Sequence, residues 1–384
     1  MARRAIGPDV SNLVSSFEEK ERYQALMIYF IPFYFLGLLI YTRHEYHEKS
    51  SHGNSSRDPY TLAFLLVSTV IFFGYRDIYI GTDSYNYYSY FLSLKENDYI
   101  FTRFEPGFML VSIFIAKLKA SFPVYTTALF SLTLIPLVIS ARLQNKNIFY
   151  SFFLLSIFCQ PFFWQLSTNV LRQGVAQSIF ILGLSLLSSG RVLTGILFAV
   201  ASALFHKSLI IFMPALFFAF PFFSKRFSIL TLLSAAILYA TGGMNALARW
   251  FANSISIERL NDFLLYSAPR YDWLLFMLFF SFLINFFSKK GFFTERTKSI
   301  VPVVNAVTAL AFLASPLPFP DRVFHMPWLI YFYVLGTIRA DTLRKHVYFS
   351  LSVFLILFSL YFSVSTFSSD FLYNIKNVLP FFSG

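Results

Sequence analysis

The chain is short of charge. Charged residues fill only 13% of its 384 positions, about half the ~25% share of an ordinary soluble domain. Acidic residues are the scarcer sign, 19 Asp and Glu against 31 Lys and Arg. Cysteine is nearly absent. The single Cys159 lies in an apolar run, which excludes an internal disulfide, and no Cys/His spacing suits a structural metal. The sequence also has no Walker loop, no zinc-protease pattern and no nucleophile elbow, which argues against an ATP-driven pump and against a protease. It shows no internal repeat and no stretch that reads as a soluble domain.

What fills the space is hydrophobic. Apolar residues reach 57%, aromatics 21%, and Phe alone occurs 52 times. A water-soluble fold could not bury that much aromatic surface, so the composition predicts an integral, multi-spanning membrane protein. The net charge of +12 would suggest nucleic acid on a soluble protein. Here the Lys and Arg sit in short loops between apolar runs, as the positive-inside rule requires, so no nucleic-acid partner is expected. The first apolar run begins near Tyr23 with no small-residue cleavage site after it, and reads as a first transmembrane helix, not a removable signal.

Apolar runs recur from residue 22 to residue 366, and a shorter one covers 104–116. The expected fold is all-α: a polytopic bundle of about 12 spanning helices, forming one integral membrane domain over 1–384, with short re-entrant or interfacial helices. Two segments stand apart, a motif loop over 76–121 with the re-entrant or interfacial piece, and an outer loop over 242–271. Arg142/Lys146, Arg191, Lys225/Arg226, Lys289/Lys290/Arg296/Lys298 and Arg339/Arg344/Lys345 fall in every second loop, which places those loops in the cytoplasm. The side of the amino terminus stays open. If 104–116 crosses fully, the terminus and the motif loop are cytoplasmic, which the Lys/Arg count mildly favours. If it does not cross, both face outward.

Polar residues at membrane depth are costly and by default mark function. One group is "YRDIYIGTDSYNYYSYF", 75–91, with its continuation "RFEPGF". It brings Arg76, Asp83, Tyr85, Tyr87, Tyr88, Arg103 and Glu105 to a membrane boundary, with Asp83 placed to cap a helix at Ser84 and Pro106 to open the next one. The same group also reads as an interfacial aromatic belt with solvated charges. A second group, "WQLSTNVLRQGVAQSIF", spaces Asn169, Gln173 and Gln177 along one helix face with Arg172 beside it. It suits an anion site, or helix packing with a snorkelling arginine. His206 in "ALFHKSLIIFMP" suits proton transfer or a turn. Arg322 in "SPLPFPDRVFHMPW" opens a helix after a proline-rich turn, and is either a site residue or part of a stiffened cap. The charges of 242–271 (Arg249, Glu258, Arg259, Asp262, Arg270) read as solvated. Arginines gathered at a membrane surface favour phosphate, because the planar guanidinium binds two oxygens and stays charged. Phosphate at that depth points to a lipid-linked phosphate, and the aromatics offer flat faces to sugar rings.

"YRDIYIGTDSYNYY" resembles the Arg-x(n)-Gly-Thr-Asp-x-x-x-Tyr signature of the EpsG-like, Wzy-type polysaccharide polymerases, polytopic glycosyltransferases of the GT-C kind. "FEPGF" resembles their Glu-Pro-Gly segment, "LRQGVAQSIFILGLSLL" their Arg-Gln-x-x-Ala helix and "ALFHKSLIIFMP" their Phe-His-x-Ser segment, in the same order over roughly 70 to 215. "FPDRVFHMPWLIYF" resembles a late Arg-bearing segment. The chain departs in having one more residue between Arg76 and Gly81 than the commonest spacing. The resemblance implies an O-antigen, capsule or exopolysaccharide polymerase in the bacterial inner membrane, with its site facing the periplasm. Such an enzyme moves a growing glycan from undecaprenyl pyrophosphate to the next lipid-linked repeat unit. It would need no cofactor, and its partners would be those glycans, membrane lipid, a chain-length regulator and a flippase. On this reading Arg172, Arg76 and Arg322 hold the pyrophosphate, and His206 or Asp83 deprotonates the acceptor. Glu105, Gln173, Asn169, Tyr85, Tyr87 and Tyr88 bind sugar or brace the arginines. The arginines leave no step that needs a metal, although Asp83 with Glu105 keeps a place for one. The alternatives are a ligase-type lipid-linked glycan transferase, which shares side and leaving group, and a lipid-linked oligosaccharide transporter or flippase. The inverted repeats that many transporters show are missing.

Overall fold

A computed structural model describes residues 37–38, 40–41, 59–76, 83–96, 104–168, 170–220, 222–223, 225–254, 270–316, 320–339 and 345–366. Every regular element among them is a helix. In chain order they are α1 (Pro59–Gly74), α2 (Ser84–Lys95), α3 (Pro106–Lys117), α4 (Phe122–Gln144), α5 (Tyr150–Phe158), α6 (Phe163–Thr168), α7 (Leu171–Ser188) and α8 (Val192–Ser202). A 3₁₀ helix follows (Lys207–Ala219), then α9 (Lys225–Ala240), α10 (Gly243–Ser254), α11 (Tyr271–Lys289), α12 (Glu295–Leu313), α13 (Pro320–Gly336) and α14 (Lys345–Thr366).

Three helices, α4, α7 and α11, are long and apolar enough to cross a membrane, and α9 with α10 would make a fourth span bent by 77°. The expected number of about 12 is therefore not reached among the described residues. Several apolar runs fold instead as shorter pieces, α3, α8 and the 3₁₀ helix among them. Large apolar side chains stay outside on α1, α8, α9 and α11, such as Phe64, Leu193, Leu230 and Phe282. Such a surface needs lipid, not water, around it. The molecule is a helical membrane protein.

α4 and α7 are the spine, packed side by side. α8 lies against α7, α1 against α4, and α12 against α9 and the 3₁₀ helix, while α13 fits between α5, α12 and α7. The main core is built from Phe, Leu, Ile and Val of these elements, with Phe153, Trp328 and Phe280 among the fully buried rings. Polar stitches fix depth. Gln144 Nε2 donates to Ser188 Oγ at 2.5 Å, so the C-terminal ends of α4 and α7 lie at one end of the bundle. Asn145 Nδ2 donates to the Thr337 carbonyl at 3.2 Å, which brings the C-terminal end of α13 there too. Lys146, Arg296 and Arg339 line a cavity of about 320 Å³ at that end. The N-terminal ends of α4, α7 and α13 consequently share the opposite end, where the predicted site residues gather.

A smaller core stands at that opposite end. Tyr87, Tyr90 and Phe91 of α2 pack with Phe108 and Ile115 of α3 and with Phe122 and Tyr125 of α4. Phe91 stacks on Tyr125 with centroids 4.4 Å apart, and Lys95 Nζ donates to the Ala120 carbonyl at 2.9 Å. α3 is 12 residues long, so it extends about 18 Å, well short of the ~30 Å hydrocarbon core.

Candidate functional site

Glu105 anchors the site. It is the residue before Pro106, which opens α3 and is preorganised for a first helical turn. Glu105 is extended (φ −66°, ψ 149°) and its carboxylate makes no capping bond to its own helix. It is thereby free to reach across to α7, where Arg172 Nη1 donates to Glu105 Oε2 in an ion pair. The pair is largely shielded, with 20% of the Arg172 side chain and 13% of the Glu105 side chain exposed. Arg172 also lies over the Phe104 ring at 4.5 Å, and the Tyr87 hydroxyl is within electrostatic range of it. Tyr87 stacks on Phe104 at 5.9 Å. The guanidinium is thus held by a carboxylate and an aromatic face, with a phenol nearby.

Two glycines permit this approach. Gly107 N–H donates to the Leu204 carbonyl at 2.8 Å, and a Cβ there would stand 2.9 Å from that oxygen. α3 is thereby laid directly on the chain that leads to His206. On α7, a Cβ at Gly174 would meet the Leu166 carbonyl at 2.3 Å. Only glycine lets α6 fold back so closely over the first turn of α7, next to Arg172.

His206 begins the 3₁₀ helix. Its Nδ1 accepts from the Ser208 backbone N–H at 3.3 Å and lies 2.7 Å from Ser208 Oγ. A backbone N–H can only donate, so this network assigns the neutral ring its proton on Nε2. Burial drives the His206 pKa down to about 4, with Glu105 opposing the shift and Arg172, Arg322 and Lys207 adding to it. Burial alone would raise the Glu105 carboxyl. Arg172 outweighs it, helped by hydrogen bonds and His206, and keeps it below the usual carboxylate range.

The structure brings together most of the residues singled out in the sequence. Asp83 stands at the start of α2, in the cap position expected for it. Its carboxylate makes no capping bond to the helix, and its charge reaches Tyr87. Arg76 is buried just beyond α1, within electrostatic range of Tyr87, and burial lowers its pKa to about 10, which leaves it charged at neutral pH. Gln173 Nε2 donates to the Arg322 carbonyl, and the Arg322 charge is felt at His206. Tyr88 packs edge-on against Phe122 at 5.3 Å. Tyr85 points away, 68% exposed. Asp77, Gly81, Arg103, Asn169 and 255–269 of the outer loop lie outside the described residues.

Sequence reasoning missed Ser208, Gln160 and His325, and counted Gln177 only as part of a stripe. A Ser two residues after a His at a helix start is a legible capping pattern. Among the described residues, no three His, Cys, Asp or Glu side chains come together as metal ligands would, and Glu105 spends its charge on Arg172.

The N-terminal ends of α7 and α13 add their positive dipole ends to this cluster of arginines, which favours an anion. The chain matches the family model of the EpsG family over residues 60–380. The chain belongs to the EpsG family. That match takes in every element from α1 to α14 and all the residues just described. No curated protein and no solved structure matches it. EpsG membership makes this a membrane protein of polysaccharide biosynthesis with a polymerase-like, glycosyl-transferring role.

Proposed function

We propose that this EpsG-family protein polymerises a lipid-linked repeat unit at the periplasmic face of the bacterial inner membrane. The observation that carries the reading is the held guanidinium of Arg172, paired to Glu105 and set among Arg76, Arg322 and two helix N-termini. Such a place suits a pyrophosphate at membrane depth. The glycan is transferred when an acceptor hydroxyl attacks the anomeric carbon. The new glycosidic C–O bond forms as the C–O bond to pyrophosphate breaks. The lipid pyrophosphate leaves with the bonding pair, and the arginines stabilise the charge that develops on it. Asp83, whose carboxylate is not spent on its own helix end, takes the proton of the acceptor hydroxyl. His206 carries its proton on Nε2 and serves as a donor to substrate oxygen, not as the base. Tyr87 and Glu105 brace Arg172. No step is assigned to a metal.

The outward placement rests on charge. The end with Lys146, Arg296 and Arg339 is the one the positive-inside rule assigns to the cytoplasm, and the site is at the other end. α3 starts beside Arg172, to which Glu105 ties it, and leads back to the start of α4 at that same end, which favours a re-entrant or interfacial segment over a crossing one. A ligase-type transferase shares this chemistry and is the second reading. The test is complementation in cells that lack their own copy. Arg172→Ala is expected to lose about 10²–10³-fold in polymerisation, leaving single repeat units on the lipid carrier. Arg172→Lys keeps the charge but loses the fork, and is expected to recover only a small part. A full-length polymer ladder from Arg172→Ala would overturn the reading. Single units transferred to a second lipid would favour the ligase.

A further inference from the structure

One turn below the arginines is a second set of polar side chains that the reaction above does not use. Gln160 and Gln177 are fully buried and His325 is 2% exposed. Both amide atoms of each glutamine and both ring nitrogens of His325 have no hydrogen-bond partner among the described residues. Gln173 Oε1, just above, is in the same position. Polar groups left this way cost stability, and native proteins keep few of them. Where they are kept, a functional site is the usual place.

The register of two helices puts them at one depth. Gln173 Nε2 meets the Arg322 carbonyl. Further along the same two helices, Ser185 Oγ meets Tyr333 Oη at 2.8 Å. α7 and α13 therefore run in step from the site inward. Gln177 follows Gln173 by one turn, and His325 follows Arg322 by just under one turn, so the two come level. The Phe162 ring, 4.6 Å from the His325 ring, places the α5–α6 turn, and with it Gln160, against the same level. His325 is also within electrostatic range of Arg322 and His206. Three elements thus carry buried, unpartnered donor-and-acceptor groups to about the level beneath the cationic site.

We propose that Gln160, Gln177 and His325 form a neutral inner subsite that takes a hydroxyl-bearing sugar of the lipid-linked substrate. The proposal rests on the reading given under Proposed function and deepens it. Amides and a neutral imidazole both give and accept hydrogen bonds, which matches sugar hydroxyls and suits an anion poorly. The arginine level would hold the pyrophosphate and the inner level the sugar next to it. Ordered water is the other source of hydroxyl-like partners, and the test separates the two.

The test uses full-length protein reconstituted in vesicles, with Gln177→Leu, His325→Leu and His325→Gln. Three quantities are read: thermal stability, binding of undecaprenyl pyrophosphate without sugar, and KM and kcat for the lipid-linked repeat unit. The Leu variants are expected to melt at or above the wild-type temperature, because each removes unpaired polar atoms. They are expected to bind undecaprenyl pyrophosphate as wild type does, yet to raise KM for the sugar-bearing substrate at least ten-fold. His325→Gln is expected to recover most of that loss. Leu variants that melt lower or fail to fold, or that leave KM unchanged, would overturn the subsite and mark the level as one satisfied by structural water. If wild type itself neither binds undecaprenyl pyrophosphate nor turns over, the failure is that of the polymerase reading.

Discussion

Among single residues, the ion pair of Arg172 and Glu105 decides most. The two are far apart in sequence, and nothing in either motif announces that they meet. The sequence placed both in the site by their chemistry and by resemblance to the EpsG-like polymerases. Truncating Glu105 leaves a shielded guanidinium without its carboxylate, so Glu105→Ala is expected to cost about 1–3 kcal/mol of stability, measured by thermal unfolding of purified protein. His206 gives a pH signature. Its pKa is about 4 in the folded protein against an ordinary 6.5. The unfolded chain therefore binds the proton first as pH falls. The ring's contribution to stability is full above about 6.5 and is lost progressively between 6.5 and about 4. Melts across that range should show the loss, and His206→Gln should flatten part of it. Activity separates donor from base: His206→Gln keeps an N–H donor and is expected to stay active, while His206→Ala is not. The sequence left His206 and Asp83 equal as bases. The distinction lay in the Ser208 contact, whose pattern is present in the sequence and whose geometry the fold supplies.

Short elements do the positioning. The sequence showed α3 as a short run, with its crossing left open, and Pro106 as its first turn, because length and a proline are local properties. It could not show that α3 docks on Leu204, since that contact depends on a missing side chain at Gly107. Gly107→Ala and Gly174→Ala each drive a methyl into a backbone carbonyl. Each is expected to destabilise by about 1–3 kcal/mol. Gly107→Ala, which also displaces Glu105, should weaken polymerisation more than an equally destabilising core change such as Ile284→Val, as a side-by-side activity assay at matched expression would report. The run after His206, read as a span from its hydropathy, folds as a 3₁₀ helix of 13 residues. At ~2.0 Å per residue it reaches roughly 26 Å, which lets a short run go deep. Hydropathy counts residues and is blind to rise, so the number of spans was the least legible part of the fold.

Taken whole, the molecule is polarised. α4, α7 and α13 end in a basic cavity at one end and begin around the arginine cluster at the other. All-helical membrane architecture was legible from composition, because so much aromatic surface has no other home. Side was not, because the Lys/Arg count of the first half mildly favours the cytoplasmic parse while the resemblance implies the outward one. Glu96, exposed at the end of α2, reports on it. Glu96→Cys is expected to react with a membrane-impermeant maleimide on outer-membrane-permeabilised cells, with wild type as the blank, since Cys159 is fully buried. Labelling only after lysis would place the whole cluster in the cytoplasm.

The central claim is that this cluster breaks a sugar–pyrophosphate bond. Its most direct test is the reconstituted protein supplied with a single lipid-linked repeat unit and no other substrate, with the lipid products read by mass spectrometry. The account predicts free undecaprenyl pyrophosphate released in step with lipid-linked dimers and longer chains, and both products cut about 10²–10³-fold or more in Asp83→Asn and Arg172→Ala. Chain growth without released undecaprenyl pyrophosphate, or undiminished growth from both variants, would contradict it.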